Sequence, residues 1–127
     1  MSFSFQHQQG LVIVTVEVSG IPSSVVLRMA LDTGATSTLI NVAPLVAIGY
    51  DPALAPDLVE VTTGSGVEYV PRIPVKKLSA LGIDQKDFPV LCHSLPPSIK
   101  IDGLLGLDFL RGHVLTMDFQ KGELDLK

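Results

Sequence analysis

A chain of 127 residues has room for one domain, and its single cysteine, Cys92, excludes an intrachain disulfide and any cysteine-rich zinc site. Hydrophobic residues make up 46% and charged residues 17%, with a mean hydropathy of +0.43. That is high for so small a domain and implies a large buried fraction or a sizeable subunit interface, since apolar surface a small domain cannot hide tends to be covered by a partner. The net charge of -4 provides no basic footprint, which argues against nucleic acid as a partner.

The expected organisation is a single domain over residues 1–127. Met1 to His7 lacks the basic and apolar regions of a signal peptide, and Leu11 to Val16 is far too short to span a bilayer. The expectation is therefore a cytoplasmic protein without a membrane partner. From Leu11 to Val18 the chain is nearly all β-branched. Ser19 to Ser24 reads as a turn, and Val25 to Leu31 is a second apolar run, so the two form a β-hairpin. That second strand ends on Asp32. A carboxylate at the end of a buried strand is costly unless it is paired or hydrogen-bonded, so this acid is expected to have a task. Gly34 supplies the freedom a sharp turn needs, Thr36, Ser37 and Thr38 are small and polar, and Leu39-Ile40 return to the core.

Asn41 is placed to cap a short helix running to about Ile48, with Gly49 at its end. Pro52 and Pro56 then predict a loop. Leu58 to Val70 alternates apolar and polar residues on either side of Gly64-Ser65-Gly66, the pattern of a protruding hairpin. Strands are predicted over Ile73 to Leu78 and Phe88 to Cys92, with a turn at Leu81 to Asp84 between them. Pro96-Pro97 marks a loop, Gly112 ends a second short helix, and Val114 to Leu126 forms a closing hairpin. The class is all-β with one or two short helices.

Other chemistries find little support. His93 directly follows Cys92, and neighbours on a strand point to opposite faces, which is poor placement for a Cys-His dyad. His7, His93 and His113 lie far apart with no metal-ligand spacing, so no metal and no cofactor is expected. Gly64-Ser65-Gly66 lacks the spacing of a nucleophile elbow.

Leu31-Asp32-Thr33-Gly34-Ala35, followed by a short polar segment and two apolar residues, resembles the active-site loop of the retroviral-type (retropepsin-like) aspartic proteases. Ile101 to Leu110, with Leu104-Leu105-Gly106 leading into a short helix, resembles the second signature of that family, which crosses beneath the acid-bearing loop. The resemblance implies a closed, barrel-like acid-protease lobe. It also implies catalysis by Asp32 with Thr33 and Gly34, Ala35 beside the substrate, and Thr63, Gly64, Ser65 and Gly66 as the tip of a flap that folds over an extended polypeptide substrate.

Peptide hydrolysis by acids uses two carboxylates sharing one proton over a water, and this chain has one Asp-Thr-Gly. Asp102-Gly103 lacks the intervening hydroxyl residue and belongs to the second signature. The resemblance therefore implies a homodimer with one Asp32 from each chain and Thr33 reaching across the two-fold axis. Thr36 and Ser37 stand where retroviral enzymes commonly carry further acids, and Leu107 follows Gly106 where those enzymes have an arginine. Both halves of that ion pair are missing, and the late segment is more similar to the retroviral-like domain of eukaryotic DNA-damage-inducible proteins and to bacterial single-domain relatives. The competing expectation is a dimerising or peptide-binding module of the same fold without turnover.

Overall fold

The fold is that of a computed structural model, described for residues 1–8 and 10–127, the side chain of Thr63 excepted. Among the described residues, ten strands, two short α-helices and one 3-10 turn follow one another along the chain. β1 is Ser2–Ser4, β2 Ile13–Ser19 and β3 Ser24–Leu31. β2 alternates strictly, with Val14, Val16 and Val18 buried while Thr15 and Glu17 face out. It pairs antiparallel with β3 from Ile13↔Ala30 to Ser19↔Ser24, as the two β-branched runs predict.

The hairpin from β5 (Asp57–Thr63) to β6 (Gly66–Ala80) also forms as expected, paired from Asp57↔Arg72 to Thr63↔Gly66. β6 continues without a break past the predicted start at Ile73, and β7 (Ile83–Cys92) begins earlier than the predicted Phe88. The turn between them is tighter than the sequence suggests, with Leu81 and Gly82 both at positive φ.

The strands β2, β3, β8 (Gly103–Leu105), β4 (Leu39–Ile40), β7 and β6 are hydrogen-bonded in that order, and β2 pairs with β6 from Val16↔Ala80 to Ser19↔Lys77. The sheet is thus a closed six-stranded barrel, with β5 hanging from β6. Its interior is filled by fully buried side chains that include Val16, Val18, Met29, Ile40, Val75, Leu78, Val90, Leu105 and Phe109.

Three features depart from the sequence-based expectation. Asn41 precedes α1 (Val42–Ala47), yet its side chain makes no cap bond. Its amide donates to the carbonyl of Ile101 (3.1 Å) and accepts from the N–H of Leu95 (2.9 Å), while the Ser94 hydroxyl takes the N–H of Val42 (3.3 Å). Asn41 is thus a clasp on the 93–101 loop, its two-sided amide serving one backbone acceptor and one backbone donor at once. Pro52–Leu54 forms a single 3-10 turn capped by Asp51, whose carboxylate accepts from Ala53 N–H at 2.9 Å. Finally, β1 adds to the closing hairpin of β9 (Leu115–Asp118) and β10 (Glu123–Leu126), making a separate three-stranded sheet in the order β1-β10-β9.

Candidate active site

Asp32 leaves the end of β3 on a loop that must travel over another strand. β8 lies between β3 and β4, parallel to the first (Met29↔Gly103 to Leu31↔Leu105) and antiparallel to the second (Leu39↔Leu104, Ile40↔Gly103). Residues 32–38 therefore arch over the end of β8. The close fit explains the glycines there. A Cβ on Gly103 would fall 2.1 Å from the carbonyl oxygen of Leu39, and one on Gly106 would lie 2.8 Å from that of Ala35.

The arch is stitched to the segment beneath it. Asp32 N–H donates to the carbonyl of Leu105 (2.9 Å), Leu107 N–H to that of Ala35 (2.8 Å), and Gly106 N–H to the Thr38 hydroxyl (3.1 Å). Thr38 is fully buried, and its hydroxyl donates to the Asp108 carboxylate at 2.6 Å. Its N–H reaches the same carboxylate at 2.9 and 3.0 Å. Asp108 lies on the one-turn helix α2 (Leu107–Leu110), which is anchored by fully buried Phe109 packed edge-to-face on Phe88 with ring centroids 6.0 Å apart.

On this support the Asp32 side chain is half-buried, and its Oδ1 accepts from the Gly34 N–H at 2.9 Å. The turn is closed by Ala35 N–H donating to the Asp32 carbonyl (3.1 Å). Thr33 and Gly34 are exposed and Ala35 is half-buried. Beside Asp32 opens an apolar cavity of about 320 Å³, walled by Leu11, Leu31, Leu95, Ile99, Ile101 and Leu104 among others. Asp102 belongs to a different part of the barrel. Its carboxylate accepts from the N–H of Arg28, four residues before Asp32, and its own N–H returns a bond to the Arg28 carbonyl.

The structure brings Asp32, Thr33, Gly34 and Ala35 into one turn. Gly64 and Ser65 form the exposed tip of the β5–β6 hairpin, with Gly66 the first residue of β6 at φ +122. The side chain of Thr63 lies outside the described residues. Among the described residues, none from this hairpin lines the cavity at Asp32. No group of histidine, cysteine and acidic side chains able to hold a metal ion exists among the described residues, and none of their helices is long and apolar enough to cross a membrane.

Sequence reasoning missed the supporting pair Thr38 and Asp108, and it missed the cavity-lining Leu11, Leu95 and Ile99. Asp108 adjoins Leu107, the departure already visible in the sequence, but nothing local reveals its partner 70 positions away. The apolar residues carry no local signal at all, because two segments far apart in the chain supply them.

The sequence pattern of the aspartyl protease family matches residues 14–109. No curated protein sequence matches the chain. Among solved structures, the fold is similar to that of a retropepsin-like aspartic protease from Rickettsia conorii, with a TM-score of 0.72 over 99% of this chain and 88% of that one, at 18% identity. With a family match that spans most of the barrel, including the Asp32 arch and the β8–α2 segment under it, the chain belongs to the aspartyl protease family and has a retropepsin-like fold.

Proposed function

We propose that residues 1–127 form a single protease domain that acts as a homodimeric aspartic endopeptidase, with Asp32 of each chain facing one catalytic water. The observation that carries this reading is the Asp32 arch. It holds a carboxylate partly open to solvent, with a hydrogen bond to the Gly34 N–H and five hydrogen bonds tying the arch to the strand and helix beneath it. Such a support fixes the acid without using up its lone pairs, as a catalytic group requires.

Two carboxylates that close cannot both ionise, so the pair holds one proton. The ionised one takes a proton from the water as its oxygen attacks the peptide carbonyl carbon, and the protonated one donates to the carbonyl oxygen. Collapse of the tetrahedral intermediate breaks the C–N bond, and a carboxyl proton passes to the departing nitrogen. Exposed Thr33 is assigned to contact the partner loop, and Gly34 to orient Asp32. The apolar cavity supports an extended polypeptide substrate that places an apolar side chain next to the scissile bond. Leu11 and Ile99 remain 49% and 40% exposed there, surface that a substrate would cover. Ala35 borders the substrate, and Thr63, Gly64, Ser65 and Gly66 act as a flap. The buried free thiol of Cys92 is compatible with a cytoplasmic setting.

The test is cleavage of an unfolded polypeptide by wild type and Asp32→Asn across a dilution series. Cleavage is expected to vanish in the variant, and wild-type specific activity to fall through the dimer dissociation constant. Wild-type rates from the variant would move the chemistry elsewhere. A stable dimer that binds the polypeptide and never cleaves it would leave a peptide-binding module in place of the enzyme.

A further inference from the structure

Away from Asp32, the alternation of β6 and β7 slips at one level of the barrel. On β6, Val75 and Leu78 both face the core, so Lys76 and Lys77 between them both face out. On β7, Lys86 and Asp87 are likewise both exposed before buried Phe88, and Asp87 takes φ +50. The two strands slip together, keeping Val75↔Phe88 and Lys77↔Lys86 in register. Lys77 is thereby paired directly with Lys86, their Cβ atoms about 5 Å apart, an arrangement that is destabilising for like charges.

These residues wall a cavity of about 540 Å³ whose remaining rim is Ser19, Gly20, Pro22, Ser23 and Ser24 from the end of β2 through the turn into β3. Two of its walls are pinned by one side chain, since the Tyr50 hydroxyl donates to the Ser19 carbonyl (2.6 Å) and accepts from the Lys76 N–H (2.8 Å). The turn is equally fixed. A Cβ on Gly20 would lie 2.2 Å from the Ile48 carbonyl oxygen, and Ile21 N–H donates to that same oxygen at 2.8 Å. Among the described residues, none of the three lysines forms an ion pair, and Asp87 on the same rim offsets only one of their three charges. One third of the nine basic residues of a chain with net charge -4 thus converge on one polar hollow.

We propose that this hollow binds a phosphate-type oxyanion, with the ammonium groups of Lys76, Lys77 and Lys86 as counter-charges and the serine hydroxyls as further donors. An anion there converts the repulsive Lys77–Lys86 pair into two attractive contacts, and the preformed rim holds the ordering cost down. The volume exceeds what a single phosphate fills, so phosphate esters and polyphosphates belong to the same class. The site is separate from the Asp32 cavity, with which it shares no lining residue.

The experiment is thermal unfolding of wild type, Lys77→Gln and Lys86→Gln in inorganic phosphate, in pyrophosphate, and in sodium chloride of matched ionic strength. Phosphate should raise the wild-type Tm above the chloride control, growing with the logarithm of its concentration as site binding requires. Each glutamine variant should unfold at higher temperature than wild type in chloride, its repulsion removed, and should lose the phosphate-specific increment. In parallel, phosphate should shift wild-type backbone amide resonances of residues 19–24, 76–77 and 86–87. The proposal is overturned if chloride matches phosphate, which would mean simple screening. It is equally overturned if both variants keep the full increment or the shifted amides lie elsewhere.

Discussion

The Asp108 carboxylate accepts both the hydroxyl and the backbone N–H of Thr38, a residue 70 positions earlier in the chain. One carboxylate thereby locks helix α2 to the far end of the Asp32 arch, while the Thr38 oxygen passes the connection on to the N–H of Gly106.

Thr38→Val keeps the shape and deletes the hydroxyl, leaving the buried Gly106 N–H without its acceptor and Asp108 short of a donor. A loss of about 1–3 kcal/mol in unfolding free energy is expected, measured by urea denaturation. Cleavage should fall further than stability alone dictates, because Asp32 sits on the arch this pair holds. A variant as stable and active as wild type would remove Thr38 from the support.

Gly106→Ala tests the close packing under the arch. Its backbone is not in the left-handed region (φ -100), so conformational strain is not the issue. The added methyl would meet the Ala35 carbonyl oxygen at 2.8 Å and the Ser37 carbonyl carbon at 2.9 Å, all backbone, and the arch must lift. Destabilisation of about 1–3 kcal/mol is expected, with cleavage severely reduced. Full activity in a stable variant would show that the arch tolerates displacement.

Gly66→Val probes the hairpin tip by the opposite route. A Cβ at Gly66 meets nothing within 4 Å, but φ +122 is closed to a β-branched residue. The tip should change its path with little effect on Tm, since it contributes few core contacts, while peptide cleavage drops sharply. Unchanged cleavage would make the hairpin ordinary surface.

The closing hairpin should carry an acid-sensitive contribution. The Lys121 N–H bond to Asp118, aided by that of Gln120 and by the nearby charges of Lys121 and His7, outweighs slight desolvation and holds the Asp118 carboxyl below its ordinary value of 3.8. A depressed carboxyl stabilises the fold above its unfolded value, and that contribution is lost as pH falls through the folded one. The stability difference between wild type and Asp118→Asn should therefore be constant at neutral pH and shrink as the pH drops below about 4. A difference independent of pH in acid would sink the assignment.

Local chemistry carried much of the architecture in readable form. The β-branched alternation of β2, the apolar run of β3 ending on Asp32 and the Gly64-Ser65-Gly66 tip all depend on neighbours within a few residues, and propensity and periodicity report such neighbours directly. The short α2 after Gly106 is legible instead through the resemblance of its segment to the family's second signature. Gly49 likewise ends α1 at φ +103, as its place in the sequence suggests.

What only the tertiary structure decided involves partners far apart in the chain. Asn41 looks like a helix cap, but its amide is taken instead by the carbonyl of Ile101 and the N–H of Leu95, partners 60 and 54 positions away that no local pattern announces. The insertion of β8 between β3 and β4 makes the arch and gives Thr38 and Asp108 to each other, and no local pattern encodes which strand fills that slot. The same holds for β1, which completes a sheet with β10, and for the paired slip that turns Lys76, Lys77 and Lys86 to one face. A sequence fixes the period of each strand by side-chain hydrophobicity, whereas register and neighbour are set by closing the barrel. The site, built across β3, β8 and α2, is a consequence of that closure.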